Sequence, residues 1–384
     1  FIISSFIVYS EMEQMGDGAF MARKITTELN RLEAVTDMPR MDTSERKLEP
    51  ECFDIELRDI SFGYDSRTVI EHVSLTVPEG TSCAIVGPSG SGKTTMVLES
   101  LIPGLQAQLN GEHLPKHVKD LSAEGIAHVK LIDASPIGIN VRSTVATYAN
   151  VHDELRKIFA RTADAKNRKY KAGDFSYNTG KLKCPVCDGT GQISLDVQFL
   201  PDVDVPCPEC NGSRYAKEAW EIGYENKQGN RYSLPELMEM DVNTALQATA
   251  DLKVVHQRLE VLKNLGLGYL TLGEETPSLS GGEAQRLKLA SEMGKGQSDS
   301  VFVFDEPTIG LHPLDVQTLL SVFDALVDNG ATVLVIEHDL DVIRNADYII
   351  DMGPGGGDDG GRVIATGTPE EIVGNEDSVT GRYL

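Results

Sequence analysis

Apolar residues gather in a few short, dense runs separated by long polar stretches. Cys83-Ala84-Ile85-Val86, Val301-Phe302-Val303-Phe304 and Thr332-Val333-Leu334-Val335-Ile336 are nearly unbroken apolar blocks. Blocks this short suit strands buried on both faces of a parallel sheet. Phe53-Asp54-Ile55-Glu56-Leu57-Arg58-Asp59-Ile60 alternates, as a half-buried strand does. A helix is expected to start near Lys93, after a glycine-rich turn, and another to run over roughly 314–328 between two of the blocks. Residues 10–35 read as a polar amphipathic helix with Leu29, Leu32 and Val35 at helical spacing, followed by a linker holding Pro39 and Pro50. The glycine-rich stretch from Gly353 to Gly361 predicts a loop, and Arg362-Val363-Ile364 a short strand after it. Strands alternating with helices predict an α/β class, without internal repeats. From about residue 145 to 270 the character changes, with amphipathic helical segments near 233–264. The expected organisation is therefore an N-terminal helical extension and linker (1–50), a first part of the core (51–144), a mostly helical insertion (145–270) and the rest of the core (271–384).

Composition narrows the picture. The chain has 384 residues, 40% hydrophobic and 24% charged, which is ordinary for a globular protein. A first residue of Phe1, not Met, is the expectation for a fragment or a processed product. No run approaches the roughly 18–20 apolar residues of a membrane span, and the apolar opening Phe1–Tyr9 is too short and lacks a basic start. A net charge of −24 excludes a protein coated in positive charge for non-specific nucleic-acid binding. Locally the balance reverses: between Arg156 and Lys183 stand nine basic residues against two acids, Asp164 and Asp174.

Gly87-Pro88-Ser89-Gly90-Ser91-Gly92-Lys93-Thr94, followed by Thr95, fits the phosphate-binding loop G-x-x-x-x-G-K-[ST]. Its glycines let backbone N–H groups face phosphate oxygens, and the following helix adds its positive end. Lys93 is expected to reach the β- and γ-phosphates of ATP, and the Thr94 hydroxyl to ligate Mg²⁺. Asp305, at the end of the block Val301–Phe304, is expected to hold Mg²⁺ through water, and Glu306 to polarise the attacking water. Leu279-Ser280-Gly281-Gly282-Glu283 opens a helix through Gln285, Arg286 and Leu289. Ser280, Gly281 and Gly282 can present N–H groups and a hydroxyl to a phosphate.

Cys184-Pro185-Val186-Cys187 and Cys207-Pro208-Glu209-Cys210, 19 residues apart, fit a four-thiolate Zn²⁺ site, closed and therefore structural. Cys52 and Cys83 stand alone. The paired spacing points to metal and a reducing, cytoplasmic compartment rather than to disulfides. Beside these cysteines, Lys166, Arg168, Lys169 and Lys171 are candidate DNA contacts, with Tyr170, Phe175, Tyr177 and Tyr215 interleaved. Residue types leave two readings open: phosphate-binding cations with base-stacking aromatics, or a solvated basic face over core aromatics.

The pentapeptide at 279–283 resembles the signature of the ABC ATPase superfamily, in which the signature of one domain completes the ATP site of another. That resemblance implies that Asp315, after Gly310-Leu311-His312-Pro313-Leu314, lies on the loop crossing the dimer interface. It implies further that His338 contacts the γ-phosphate, and that Tyr64 of Phe62-Gly63-Tyr64 stacks on adenine; a surface-packed tyrosine is the alternative. Over roughly residues 96–384 the chain resembles the UvrA family. The stretches that carry it include Ile132-Asp133-Ala134-Ser135-Pro136-Ile137-Gly138, Asp174-Phe175-Ser176-Tyr177-Asn178, both cysteine pairs, Phe199-Leu200-Pro201-Asp202-Val203, Leu265-Gly266-Leu267-Gly268-Tyr269, Ile349-Ile350-Asp351-Met352-Gly353-Pro354 and Thr380-Gly381-Arg382-Tyr383-Leu384. The resemblance implies an ATP-hydrolysing subunit that binds damaged double-stranded DNA as a dimer and loads a UvrB-type partner in nucleotide excision repair, with the zinc module taking part in damage recognition. It implies an ABC-type ATPase fold interrupted by the cysteine-bearing insertion. Three departures bear on this. Ala134 replaces the family's usual glutamine, which implies slow hydrolysis. Residues 1–95, with Met15-Gly16-Asp17 and Val73-Ser74-Leu75-Thr76-Val77, resemble an ABC exporter, so a transporter ATPase is the alternative. Only one ATPase half is present, so a homodimer or a second half is expected to complete the site.

Overall fold

The computed structural model describes residues 54–64, 67–138, 140–195, 203–293 and 298–384. The expected helix at 10–35, the linker after it and Cys52 lie outside the described residues.

In chain order the strands are β1 (Ile55–Tyr64), β2 (Arg67–Val77), β3 (Ser82–Val86), β4 (Asp120–Ser122), β5 (His128–Ile132), β6 (Gln192–Leu195), β7 (Val203–Pro206), β8 (Gly223–Glu225), β9 (Arg231–Ser233), β10 (Ser300–Asp305), β11 (Thr332–Ile336), β12 (Tyr348–Gly353) and β13 (Arg362–Gly367). Six of them form one sheet in the order β13-β12-β3-β11-β10-β5. Every neighbouring pair in it is parallel except β12 with β13. β1, β2 and β4 form a separate antiparallel sheet in the order β2-β1-β4.

The apolar blocks are unbroken because both faces of the main sheet are covered. On β10, Val301 and Val303 pack into one core and Phe302 and Phe304 into another; β11 divides likewise between Leu334, Ile336 and Val333, Val335. The first core also holds β1, β2 and the helical stretch after the glycine-rich turn, through Ile55, Ile70, Met96, Leu101 and Leu105. That stretch runs as Lys93–Thr95, a π-wound segment Met96–Leu101, and Ile102–Asn110.

The second core runs from Phe304 and Leu287 out to Leu259, Phe175, Tyr177 and Tyr215. The stretch expected to be mostly helical holds the helices Val151–Phe159, Leu234–Glu239, Val242–Ala248 and Lys253–Asn264. It also holds two short hairpins, β6 with β7 and β8 with β9. Its packing is thus continuous with one face of the sheet, a feature that local periodicity does not encode. Among the described residues no helix is long and apolar enough to cross a membrane.

Candidate functional site: a phosphate loop, paired carboxylates and a four-thiol cluster

Adjacent strands of the main sheet deliver the chemistry at their C-terminal ends, where ligands bind in open α/β sheets. β3 leads into the turn 87–92, β11 into Glu337 and His338, and β10 into Asp305 and Glu306. β3 and β10 both pair with β11, so their ends lie about 10 Å apart. Gly87, Ser89, Gly90, Ser91, Gly92, Lys93, Thr94 and Thr95 line one cavity of about 380 Å³ together with Glu306 and His338.

The loop keeps its shape through close backbone approach. A Cβ on Gly87, whose φ is +137°, would sit 2.0 Å from the Met352 carbonyl oxygen. One on Gly356 would sit 2.2 Å from that of Ser89. The loop at 353–361 braces the turn, with Gly357 N donating to Gly90 O at 3.0 Å and Gly361 N to Ser91 O at 2.9 Å. Lys93 Nζ lies within the turn, 2.6 Å from Gly87 O and 3.2 Å from Pro88 O. Burial draws its pKa down, while Glu306, Asp351 and Asp305 pull the other way.

Asp305 is the opposite case. Burial, then Glu306, Asp133 and Glu337, hold its carboxyl above the usual range, and its Oδ1 is buried without a hydrogen-bond partner. An orphaned carboxylate oxygen among other acids fits a cation, held directly or through water. Glu306 adopts a left-handed φ of +47°, and its N–H donates to Ile336 O at 2.9 Å. That bond ties the end of β10 to β11. Glu337, which the sequence did not single out, is buried and accepts from Thr308 N at 2.9 Å, Thr308 Oγ1 at 2.6 Å, His338 N at 2.7 Å and Asp339 N at 3.0 Å. It thereby fixes the backbone on either side of the cavity.

Ser280, Gly281 and Gly282 do not line this cavity. Ser280 caps the helix Gly281–Glu292 in a capping box with Glu283 and is exposed with Gly281. Asp315 is exposed near Gly266. The Tyr64 ring is about half exposed, packs edge-on against Phe62 with centroids 5.0 Å apart, and its hydroxyl donates to Glu99 at 3.4 Å.

The four paired cysteines converge, buried and unbonded to one another, with all Sγ atoms within 4.8 Å. Cys184 and Cys207 are separated by 3.9 Å, Cys187 and Cys210 by 3.6 Å. A tetrahedron with Zn–S of about 2.3 Å has edges of about 3.8 Å, so the cluster fits Zn²⁺. Burial pushes the Cys210 thiol up to about 12 and raises Cys184. At Cys187 burial acts in the same direction, but N–H groups of Gly191 and Gly189 bring it down to about 7. Four thiolates this close need a cation to hold them ionised.

The two knuckles repeat each other residue by residue: Asp188 and Asn211 have φ of +51° and +49°, Gly189 and Gly212 of +81° and +88°, Gly191 and Arg214 of +82° and +71°. Arg214 therefore takes a glycine's place in the second knuckle. Its side chain is buried; Nη1 donates to Val141 O at 2.9 Å, Nη2 pairs with Glu275 at 2.7 Å, and the group lies 5.3 Å from the Tyr177 ring centre. On the first knuckle, Arg142 donates to Asp188 O at 2.7 Å. Both arginines lead toward the segment ahead of the helix Gly281–Glu292, where Thr276 N donates to Ser143 O at 3.0 Å.

Near this cluster, Phe175, Tyr177 and Tyr215 are fully buried, so they are core aromatics and not stacking platforms. Lys166, Arg168, Lys169 and Lys171 are exposed. Arg168 pairs with Glu221 at 2.7 Å; for the three lysines no ion pair occurs among the described residues.

No protein-family model matches the chain. Individual relatives match it strongly. The UvrABC system protein A of Clostridium tetani (strain Massachusetts / E88) is 46% identical over 318 residues, 82% of this chain and 33% of that protein. That of Bacillus subtilis (strain 168) is 45% identical over 344 residues, 88% of this chain and 35% of that protein. The chain thus spans about a third of the length of the relatives it matches. Among solved structures, UvrA2 from Deinococcus radiodurans superposes with a TM-score of 0.77 at 38% identity, covering 88% of this chain and 40% of that one. The chain belongs to the UvrA family.

Proposed function

We propose that this chain binds and hydrolyses ATP as part of a UvrA-type DNA-damage-recognition protein in nucleotide excision repair. The observation that carries the proposal is the single cavity lined by the phosphate loop, Glu306 and His338, beside the orphaned oxygen of Asp305. In this reading the N–H groups of 87–95 cradle the phosphates and Lys93 reaches the β- and γ-phosphates. Thr94 and Asp305 would hold Mg²⁺, which supplies charge neutralisation on the transferred phosphoryl group. Glu306 accepts a hydrogen bond from the attacking water and draws proton density from it, and His338 faces the γ-phosphate.

Ser280 and Gly281 are exposed, and with Gly282 they lie outside this cavity, which supports pairing with a second ATPase half or a second copy, each lending its signature to the other's nucleotide. Zn²⁺ would be held by Cys184, Cys187, Cys207 and Cys210, and Lys166, Lys169 and Lys171 offer uncompensated charge to damaged double-stranded DNA. The names of the relatives place them in the UvrABC system, and a UvrB-type partner in the cytoplasm follows for this chain within the same reading. The division into a nucleotide-binding core and a 145–270 insertion belongs to the reading as well. Ala134 favours a variant of it in which turnover is slow.

The test is Glu306→Gln in the full chain. ATP binding, read with a fluorescent ATP analogue, should persist within threefold, while phosphate release falls on the order of a hundredfold or more. A wild-type chain that binds no nucleotide, or a variant that hydrolyses ATP at the parental rate, overturns the proposal.

A further inference from the structure

Glu337 stands where the three strands that deliver the chemistry meet. Its own N–H donates to Ile85 O, near the end of β3, at 3.3 Å. The residue before it, Ile336, ends β11 and accepts from Glu306 N, just past β10, at 2.9 Å. The Glu337 side chain is fully buried and does not line the cavity that Glu306 and His338 share with the phosphate loop.

Its carboxylate divides its bonds between two segments. Oε1 accepts from Thr308 N at 2.9 Å and from Thr308 Oγ1 at 2.6 Å. Oε2 accepts from His338 N at 2.7 Å and from Asp339 N at 3.0 Å. Asp339 in turn caps the helix Leu340–Arg344, its Oδ1 accepting from Asp341 N at 2.9 Å and Val342 N at 3.2 Å. The His338 ring is 65% exposed, and its Nδ1 lies 3.7 Å from Glu337 Oε2, too far for a hydrogen bond. The ring thus reaches the cavity from a backbone that Glu337 holds.

The donors decide which residue can do this. Three of the four are backbone N–H groups, which cannot turn round. Only an ionised carboxylate accepts on both oxygens at once. Glutamine has the same shape, but it would set an NH₂ group against the N–H of Thr308 or against those of His338 and Asp339. Buried donors left unpaired are costly. Aspartate, one methylene shorter, would not span both segments. A buried negative charge also works against the fold here, because it helps hold the Asp305 carboxyl above its usual range. Four charge-assisted bonds offset that cost.

We propose that Glu337 is a positioning residue for the γ-phosphate contact: by gathering Thr308, His338 and Asp339 on one carboxylate, it keeps the imidazole of His338 within reach of that phosphate. The site requires its two accepting oxygens, not only its size. This inference rests on the ATP-binding reading above and adds to it a residue that acts through His338.

The preference of the full chain for a non-hydrolysable ATP analogue over ADP, measured by titration calorimetry at saturating Mg²⁺, tests it. That preference reports the γ-phosphate contact and needs no turnover. His338→Ala should lower it about tenfold, and Glu337→Gln by a similar factor, with ADP affinity kept within about twofold. In the His338→Ala background, Glu337→Gln should add less than about twofold, because both changes remove one interaction. Thr308→Val removes a single Oε1 bond and serves as the second variant should Glu337→Gln not fold. It should lower the preference about threefold in the parent and leave it unchanged in His338→Ala. An equal loss in both backgrounds overturns the inference, as does an unchanged preference in folded Glu337→Gln. A wild type that binds the ATP analogue and ADP equally well overturns it too. A wild type that binds neither nucleotide defeats the ATP-binding reading itself.

Discussion

Replacing Arg214 by methionine severs the second cysteine knuckle from the segment ahead of the helix Gly281–Glu292. The Arg214 side chain is 5% exposed and that of Glu275 27%. Methionine keeps much of the volume but leaves Glu275 in a site where burial already holds it above its ordinary value of 4.5, with Arg214 as the counterweight. Breaking a buried pair by removing one partner costs about 3–5 kcal/mol, and partial exposure of Glu275 puts this case near the lower end, about 3 kcal/mol. The lost donor to Val141 O adds to the cost. With a urea slope of about 3 kcal/mol per molar, the unfolding midpoint followed by far-UV circular dichroism should fall by about 1 M.

The sign with pH follows from the same pair. Without Arg214 the folded-state pKa of Glu275 rises further above its unfolded value, so the folded variant takes up a proton that the unfolded chain has released. The deficit against the parent is therefore full above that raised pKa, and it shrinks as pH falls toward 4.5. The double variant Arg214→Met, Glu275→Gln removes the stranded charge and should recover most of the loss. A double variant as unstable as the single one, or a deficit that grows toward acid pH, refutes this account of the pair.

Further outcomes follow from the same geometry. Metal analysis should find one zinc per chain, and Cys207→Ser should abolish stoichiometric zinc and make residues 182–216 susceptible to proteolysis; full zinc in that variant contradicts a four-thiolate site. Charge reversal at Lys166, Lys169 and Lys171 should weaken DNA binding and lower its salt slope by up to about three. Trp220 is the only tryptophan, is partly exposed and adjoins the Glu221 that pairs with Arg168, so DNA should quench the intrinsic fluorescence of the parent but not of the reversed variant. Ala134→Gln should raise ATP turnover at saturating Mg²⁺-ATP; an unchanged rate contradicts a limiting role for Ala134.

The parts of this site that were legible in the sequence are those whose chemistry is local. Gly87–Thr94 specifies its turn through adjacent residues, and β10 and β11 announce themselves because burial on both faces demands apolar side chains at every position. The two cysteine pairs declare their geometry through spacing alone. What stayed hidden depends on partners far along the chain. Gln285 and Ile132 are 153 residues apart, and Arg214 and Glu275 are 61 apart. A buried glutamine or arginine looks like a surface residue until its partners are known. The aromatics beside the basic run were ambiguous for the same reason: Tyr177 and Tyr215 have the residue type of a stacking platform but the burial of a core. The repeat of the two knuckles offered one usable signal, since Arg214 falls where the first knuckle has Gly191.

In the proposed function, Lys93, Asp305 and Glu306 serve one bound nucleotide. A crystal structure of the chain with Mg²⁺ and a non-hydrolysable ATP analogue tests it most directly. The β- and γ-phosphates should lie within hydrogen-bonding distance of Lys93 Nζ, the metal about 2.1 Å from Thr94 Oγ1 with Asp305 at its hydration shell, and a water between Glu306 and the γ-phosphate. A triphosphate seated elsewhere, or a metal out of reach of Asp305, contradicts it.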